Sequence, residues 1–420
     1  IHPFDPFGQI MQEHFRKLNS ALYALNKYPD ADAQRRRLLD NGWEQCVCLD
    51  MNCFYFGLVP EAERSKIEKL EPFDEYEEWH QKCSHYFILA ASRGLRLCIL
   101  ASPLTLGGPS FSPVSLPVKT IPVCAEGLGM ASASLGPNVV LLTGGSSKGA
   151  SLPLSSPPSL SVSSSLSLSL NTLNHYNDST CCIKTAERTT LIVTCLTGVR
   201  LYHTATAIPG KSAVVLGGRT SPLNPVKTVC KLTMDSLDLE GDDGAKLSVE
   251  PAVCAGEPPV SVDGAAPEPR FSHSACSYRG GVVMFGGLGR RGVPLGDTTL
   301  LKPTESGFCW QRLDIKPSVF CRYSHAAHVI GDKLLVVGGV WLASHVPGLA
   351  VVDLLTQSGA EYRLDVASVP WPLMLHSFCS EVTSSKELVL IGGGGNCFSF
   401  GTHLNPQPVV VDLGLITTDG

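Results

Sequence analysis

Three stretches of the sequence place an arginine three residues before a histidine: Arg200 with His203, Arg270 with His273, and Arg322 with His325. His376 stands in a comparable place further on, with Leu373 where the arginine would be. A ring of guanidinium and imidazole groups could receive an anionic ligand. The same side chains, recurring with a structural repeat, could equally bind neighbouring repeats together by hydrogen bonds. Arg35, Arg36 and Arg37 form a basic run that suits either RNA phosphates or a solvated helix face. Asp74 and Glu75 are adjacent carboxylates, which diverge on a helix and so suit a cap better than an acid–base pair. The sixteen cysteines contain no C-x-x-C pair, Cys46-Val-Cys48 and Cys181-Cys182 being the nearest approaches. No metal site is therefore expected, and the thiols read as reduced and at least half-buried.

The elements that must position these residues fall into two textures. The first 97 residues hold 27 charged side chains and the remaining 323 hold 44. In the first texture Ile10, Met11, His14, Phe15 and Leu18 share one face at helical spacing. A second helix is expected over 30–39, after Pro29 and before Asn41-Gly42. The run WEQCVCLDMNCFYF predicts a strand leading into a short helix. PEAERSKIEKL and DEYEEWHQKCSHYFILAA predict two more helices.

The second texture is rich in Gly, Pro, Ser and β-branched residues, with short strands between turns. Paired glycines recur at 144–145, 217–218, 286–287, 338–339 and 392–393, each after an apolar run such as VVMF or LLVV. The steps 286 to 338 and 338 to 392 are uninterrupted. The two longer steps contain a Ser/Leu-rich insertion at 151–199 and an acidic, Pro-rich loop at 235–269. A unit of about 50 residues with this pattern is a kelch repeat, one four-stranded blade of a β-propeller. Six blades are expected over 98–420, the sixth formed by residues 97–123 with the strand at 409–413. Gly287, Gly289 and Gly292 fit G-x-G-x-x-G, but Pro294 and Gly296 follow and no helix can aim at a phosphate, so this is read as a blade turn. The run GGGGNCFSFG at 392–401 fails in the same way.

A resemblance adds to this reading. DPFGQ at 5–9, QRRRLL leading to Gly42-Trp43, Asp50-Met51, Leu70-Glu71 and Asp74-Glu75 run in the order found in the later part of the leucine carboxyl methyltransferase family. The resemblance covers residues 1–97 and implies the C-terminal part of a Rossmann-like α/β methyltransferase domain. It also implies S-adenosylmethionine as cofactor, with most of that site expected before residue 1. Asp5, Phe7 and Gly8 would then line the cofactor or acceptor cleft, or serve simply as a helix start. One branch of the family carries a kelch propeller after the methyltransferase domain. Its members methylate a carboxylate and methoxycarbonylate an amine to complete the wybutosine base of phenylalanine tRNA. A tRNA-modifying enzyme is thus implied, with phenylalanine tRNA as partner and the 420-residue chain inactive by itself. The alternatives are methylation of a protein C-terminal leucine, and a non-catalytic scaffold that takes a protein partner on its propeller.

A net charge of -5 supplies no global attraction for nucleic acid, so any RNA contact must be a local patch. No apolar run of membrane-spanning length occurs, and a cytoplasmic protein is expected.

Overall fold

The computed structural model describes residues 2–70, 75–94, 108–122, 131–136, 139–143, 179–183, 190–194, 201–209, 212–221, 224–234, 249–251, 262–305, 307–343, 348–383, 385–397 and 399–417. Strand predominates over helix. No helix among the described residues is long and apolar enough to cross a membrane. The glycines at 144–145, Arg200, Asp74 and most of the segments 151–199 and 235–269 lie outside the described residues.

The charged part folds from strong local signals. Helix α1 (Pro6–Lys17) starts at Asp5, whose carboxylate accepts the Gly8 N–H at 2.7 Å. It buries Phe7, Ile10 and Met11 and exposes Lys17. Helix α2 (Ala31–Asp40) is capped by Asp30 in the same way. Strand β1 (Gln45–Asp50) leads into α3 (Met51–Leu58), and α4 (Glu61–Leu70) and α5 (Tyr76–His85) follow. The sequence pattern extends the last helix through Ala91, whereas α5 ends at His85 and residues Phe87–Ser92 form strand β2. The reason is that β1 alone would leave a row of backbone groups unpaired. The run FILAAS has no polar face to present on a helix, and it pairs antiparallel with β1 from Gln45–Ser92 to Asp50–Phe87.

Around each described pair of glycines the chain forms a four-stranded antiparallel set. One comprises Ser274–Tyr278, Gly281–Phe285, Thr298–Pro303 and Phe308–Leu313. The next comprises Ala326–Ile330, Lys333–Val337, Leu349–Asp353 and Ser358–Asp365. Alternation explains why these strands are apolar without a break. Leu334 and Val336 point to a core shared with Val283 and Phe285, while Leu335 and Val337 point to a core shared with Leu388 and Leu390. Each sheet is thus buried on both faces by its neighbours. The first strands of successive sets, Leu201–Ile208, Ser274–Tyr278, Ala326–Ile330 and Phe378–Val382, lie side by side in that order, and Ala131–Gly136 lies beside the last.

The strands expected to build a separate sixth blade do not. Strand β3 (Phe111–Thr120) and Val409–Asp412 pair with each other, and the latter pairs with Glu387–Gly392. They are therefore the outer strands of the set at 392–393, which could not complete four strands from its own sequence. The stretch 287–292 forms a two-residue strand and a turn, with no helix.

Candidate functional site

The recurring arginines turn inward. Arg270 is buried, donates to both carboxylate oxygens of Asp297 at 2.6 and 2.9 Å, and donates to the Gly286 carbonyl. Arg322 is buried against Glu361 and donates to the Gly338 carbonyl at 3.2 Å. The histidines reach the preceding set: His273 Nε2 lies 2.9 Å from Thr204 Oγ1, and His325 Nε2 lies 2.8 Å from Ser274 Oγ. Burial pushes the His273 pKa down to about 3 and holds His325 well below its ordinary value, so both rings are neutral. Neutral imidazoles tie each set to the one before, paired guanidiniums brace their own set, and both offer little to an anion.

The corner glycines fix the alignment of the sets. A side chain on Gly287 would run into His273 Cβ at 2.7 Å, and one on Gly339 into His325 Cβ at 2.9 Å. At 393 the Cβ met is that of Phe378, at 2.8 Å, and His376 presents only its carbonyl oxygen. The residue before the repeated histidine adopts positive φ at Tyr202, Ser272 and Ser324, and the fourth member is Ser377. His376 is therefore two residues out of the histidine position, which Phe378 fills; Leu375, not Leu373, holds the arginine position. Spacing misled because Phe378 fills the position at the ordinary distance from the glycines, and the nearest histidine upstream happens to be two residues earlier. His203 occupies the repeat position against Gly218.

Asp5, Phe7 and Gly8 lie where the helical part meets the strand-rich part. Beyond the helix cap, Asp5 accepts from His85 Nε2 at 2.9 Å. Phe7 packs with Met374 and Phe400, and a Cβ on Gly8 would collide with the His2 carbonyl oxygen. Asp5 and Phe7 also border a narrow cleft with His85, Trp341 and Met374, which Gly8 does not line. Arg35, Arg36 and Arg37 are exposed on α2, with the Arg37 guanidinium 4.9 Å from the Tyr28 ring. Glu75 stands at the start of α5 without a side-chain cap bond. Cys53, Cys83 and Cys276 are not poised nucleophiles, since burial pushes each thiol up to about 12.

What sequence reasoning missed is where α5 docks. This helix lies across the ends of the repeated corners, where the Ser272 N–H donates to the Tyr202 carbonyl and the Ser324 N–H to the Ser272 carbonyl, at 3.0 and 2.9 Å. His80 on α5 is fully buried, with Nδ1 2.7 Å from the Tyr323 hydroxyl. The Asn52 amide donates to the carbonyls of His80 and Leu342. Glu77 hydrogen-bonds to Ser324 Oγ, and Tyr76 packs beside Phe271. Desolvation, with the neighbouring Glu78 carboxylate second, pushes Glu77 up to about 7. A half-buried carboxylate in that range can take or give a proton at neutral pH. Arg219 stacks 4.8 Å from Tyr202 and 4.7 Å from Phe271 at the same place. The sequence gives no local sign of this seam, because its partners lie some 250 residues apart.

No family model matches the chain. The human tRNA wybutosine-synthesizing protein 4 is 38% identical over 477 aligned positions, which take in 98% of this chain and 67% of that protein. The chain belongs to the tRNA wybutosine-synthesizing protein 4 family. The rat member of this family is likewise 38% identical, with the same shares of both proteins covered. The leucine carboxyl methyltransferase 1 homolog of Arabidopsis thaliana is 41% identical over 91 positions, 22% of this chain and 27% of its own length. The chain thus spans about two thirds of the length of the mammalian family members.

Proposed function

We propose that the chain is part of a tRNA-modifying enzyme, an S-adenosylmethionine-dependent methyltransferase and methoxycarbonyltransferase that completes wybutosine in phenylalanine tRNA. What carries the reading is one continuous likeness to the human relative across 98% of this chain, so that helical part and strand-rich part together match one kind of protein. In this reading residues 1–97 are the C-terminal part of a Rossmann-like methyltransferase domain, and 98–420 are a kelch-type propeller that shapes the acceptor. Sheets buried on both faces, with paired glycines at equivalent corners, support the propeller.

Methylating a carboxylate needs little proton transfer, because the nucleophile is already ionised at neutral pH and positioning dominates. S-adenosylmethionine would supply the methyl group. Asp5 and Phe7 are engaged mainly in packing, so in this reading most of the cofactor site is built by other residues. Arg35, Arg36 and Arg37 contact tRNA phosphates, and the cytoplasm is the compartment this reading implies. Methylation of a protein C-terminal leucine is the weaker reading, since the relatives matched along nearly all of this chain carry the tRNA name.

The test is transfer of labelled methyl groups by the full gene product, offered phenylalanine tRNA from cells lacking the gene alongside a peptide ending in leucine. Label is expected in the tRNA. Label in the peptide alone, or in neither, overturns the reading.

A further inference from the structure

We propose that the cleft beside Phe111 is a nucleotide subsite that takes one unstacked base of single-stranded RNA; this deepens the tRNA reading and rests on it. The cleft has a volume of about 650 Å³, within the roughly 300–1,000 Å³ of small-ligand sites. Phe111, Phe320, Trp341 and Arg363 line it, with Ser110 and Ser115 at its polar side.

An irregularity in the sheet builds it. Strand β3 pairs in parallel with Ser358–Asp365, but the register slips, so that Glu361 faces Phe111 while Arg363 faces Ser115. Pro113 lies within the slip, where a missing N–H leaves no ladder bond unmade. The extra residues re-aim Phe111, whose ring lies 5.3 Å from Phe320 at an interplanar angle of 40°. The Arg363 guanidinium lies 4.8 Å from the Phe111 ring centroid.

Arg363 differs from the arginines of the repeat. It is exposed and makes no ion pair among the described residues, whereas Arg270 and Arg322 are buried against carboxylates. Among the described residues no acidic side chain lines the cleft. Aromatic faces beside an unpaired, stacked guanidinium suit a base with its phosphate, while duplex RNA keeps its base faces covered. Location agrees. Trp341 also lines a narrower cleft bounded by Asp5, Phe7 and His85, so the subsite opens next to the helical part.

The experiment measures anisotropy of a fluorescein-labelled adenosine pentanucleotide, and of phenylalanine tRNA, with the full gene product and its R363A, R363K and F111A variants. Because Arg363 is exposed, R363A is expected to melt as the wild type does, which keeps the test open should F111A fail to fold. The pentanucleotide should bind about tenfold more weakly to R363A and F111A. For R363A the slope of log affinity against log salt should become shallower by about 0.7. R363K should keep the salt slope and lose affinity, since lysine retains the charge without the plane. Equal binding by wild type and R363A, or binding of tRNA with none of the pentanucleotide, overturns the subsite and leaves the tRNA reading standing. A protein that binds neither RNA overturns both.

Discussion

His80 Nδ1 and the Tyr323 hydroxyl, 243 residues apart in sequence, lie 2.7 Å from each other in a fully buried contact. Through it the last helix of the charged part is seated on the corners of the strand-rich part. Burial pushes His80 down to about 3 and the Tyr323 phenol well above its ordinary value, so a neutral pair meets there at every physiological pH.

Tyr323→Phe leaves Nδ1 of a buried ring without a partner, since nothing else described reaches it. The expected loss is about 1–3 kcal/mol in urea unfolding. A loss below a few tenths would show that the seam does not stabilise the fold.

Arg322 and Glu361 form a pair with both side chains wholly buried. Arg322→Ala strands the Glu361 charge and should cost about 3–5 kcal/mol. Replacing both partners by leucine should recover much of that loss. A double variant as unstable as the single one would contradict this account of the pair.

Glu77 gives a pH dependence whose sign follows from its environment. Its folded pKa of about 7 exceeds the ordinary value of 4.5, so the folded chain holds the proton more tightly than the unfolded chain. Its contribution is fully present below pH 4.5 and is lost as pH rises through 7, by at most about 3 kcal/mol. Unfolding midpoints of the wild type should fall across this window relative to Glu77→Gln, in which the dependence is absent. Parallel curves for the two proteins would refute the shift.

Phe378 stands where other sets carry histidine, and the facing position holds Ala326 where they hold Thr204 or Ser274. The two sets have exchanged a polar pair for an apolar one. Phe378→His alone should destabilise by about 1–3 kcal/mol, because the new imidazole finds no hydroxyl. Adding Ala326→Ser should restore part of it, with a coupling of at least about 0.5 kcal/mol in the double-mutant cycle.

Features written within a few residues were legible in the sequence. Asp5 and Asp30 announce helices by their caps, and the LLVV run announces a strand covered on both faces. What depends on distant partners was not. The strand at 87–92 is a strand because β1 needs it, and β3 finds its set only by pairing with a segment almost 300 residues later. His376 looked like a repeat histidine by distance to the glycines, yet the left-handed residue before the true position identifies Phe378. Asp5 and Phe7 resemble cleft residues by order along the chain, while their packing against His85, Met374 and Phe400 makes them a joint. Glu77 stands out little in the sequence, because burial under distant residues does most to raise its pKa, ahead of the adjacent Glu78.

The central claim is that this protein completes wybutosine in phenylalanine tRNA. Nucleoside mass spectrometry of that tRNA from cells lacking the gene tests it most directly. The account predicts accumulation of the precursor with its carboxylate unmethylated, cured by the complete gene. Wybutosine at wild-type level in those cells would contradict it.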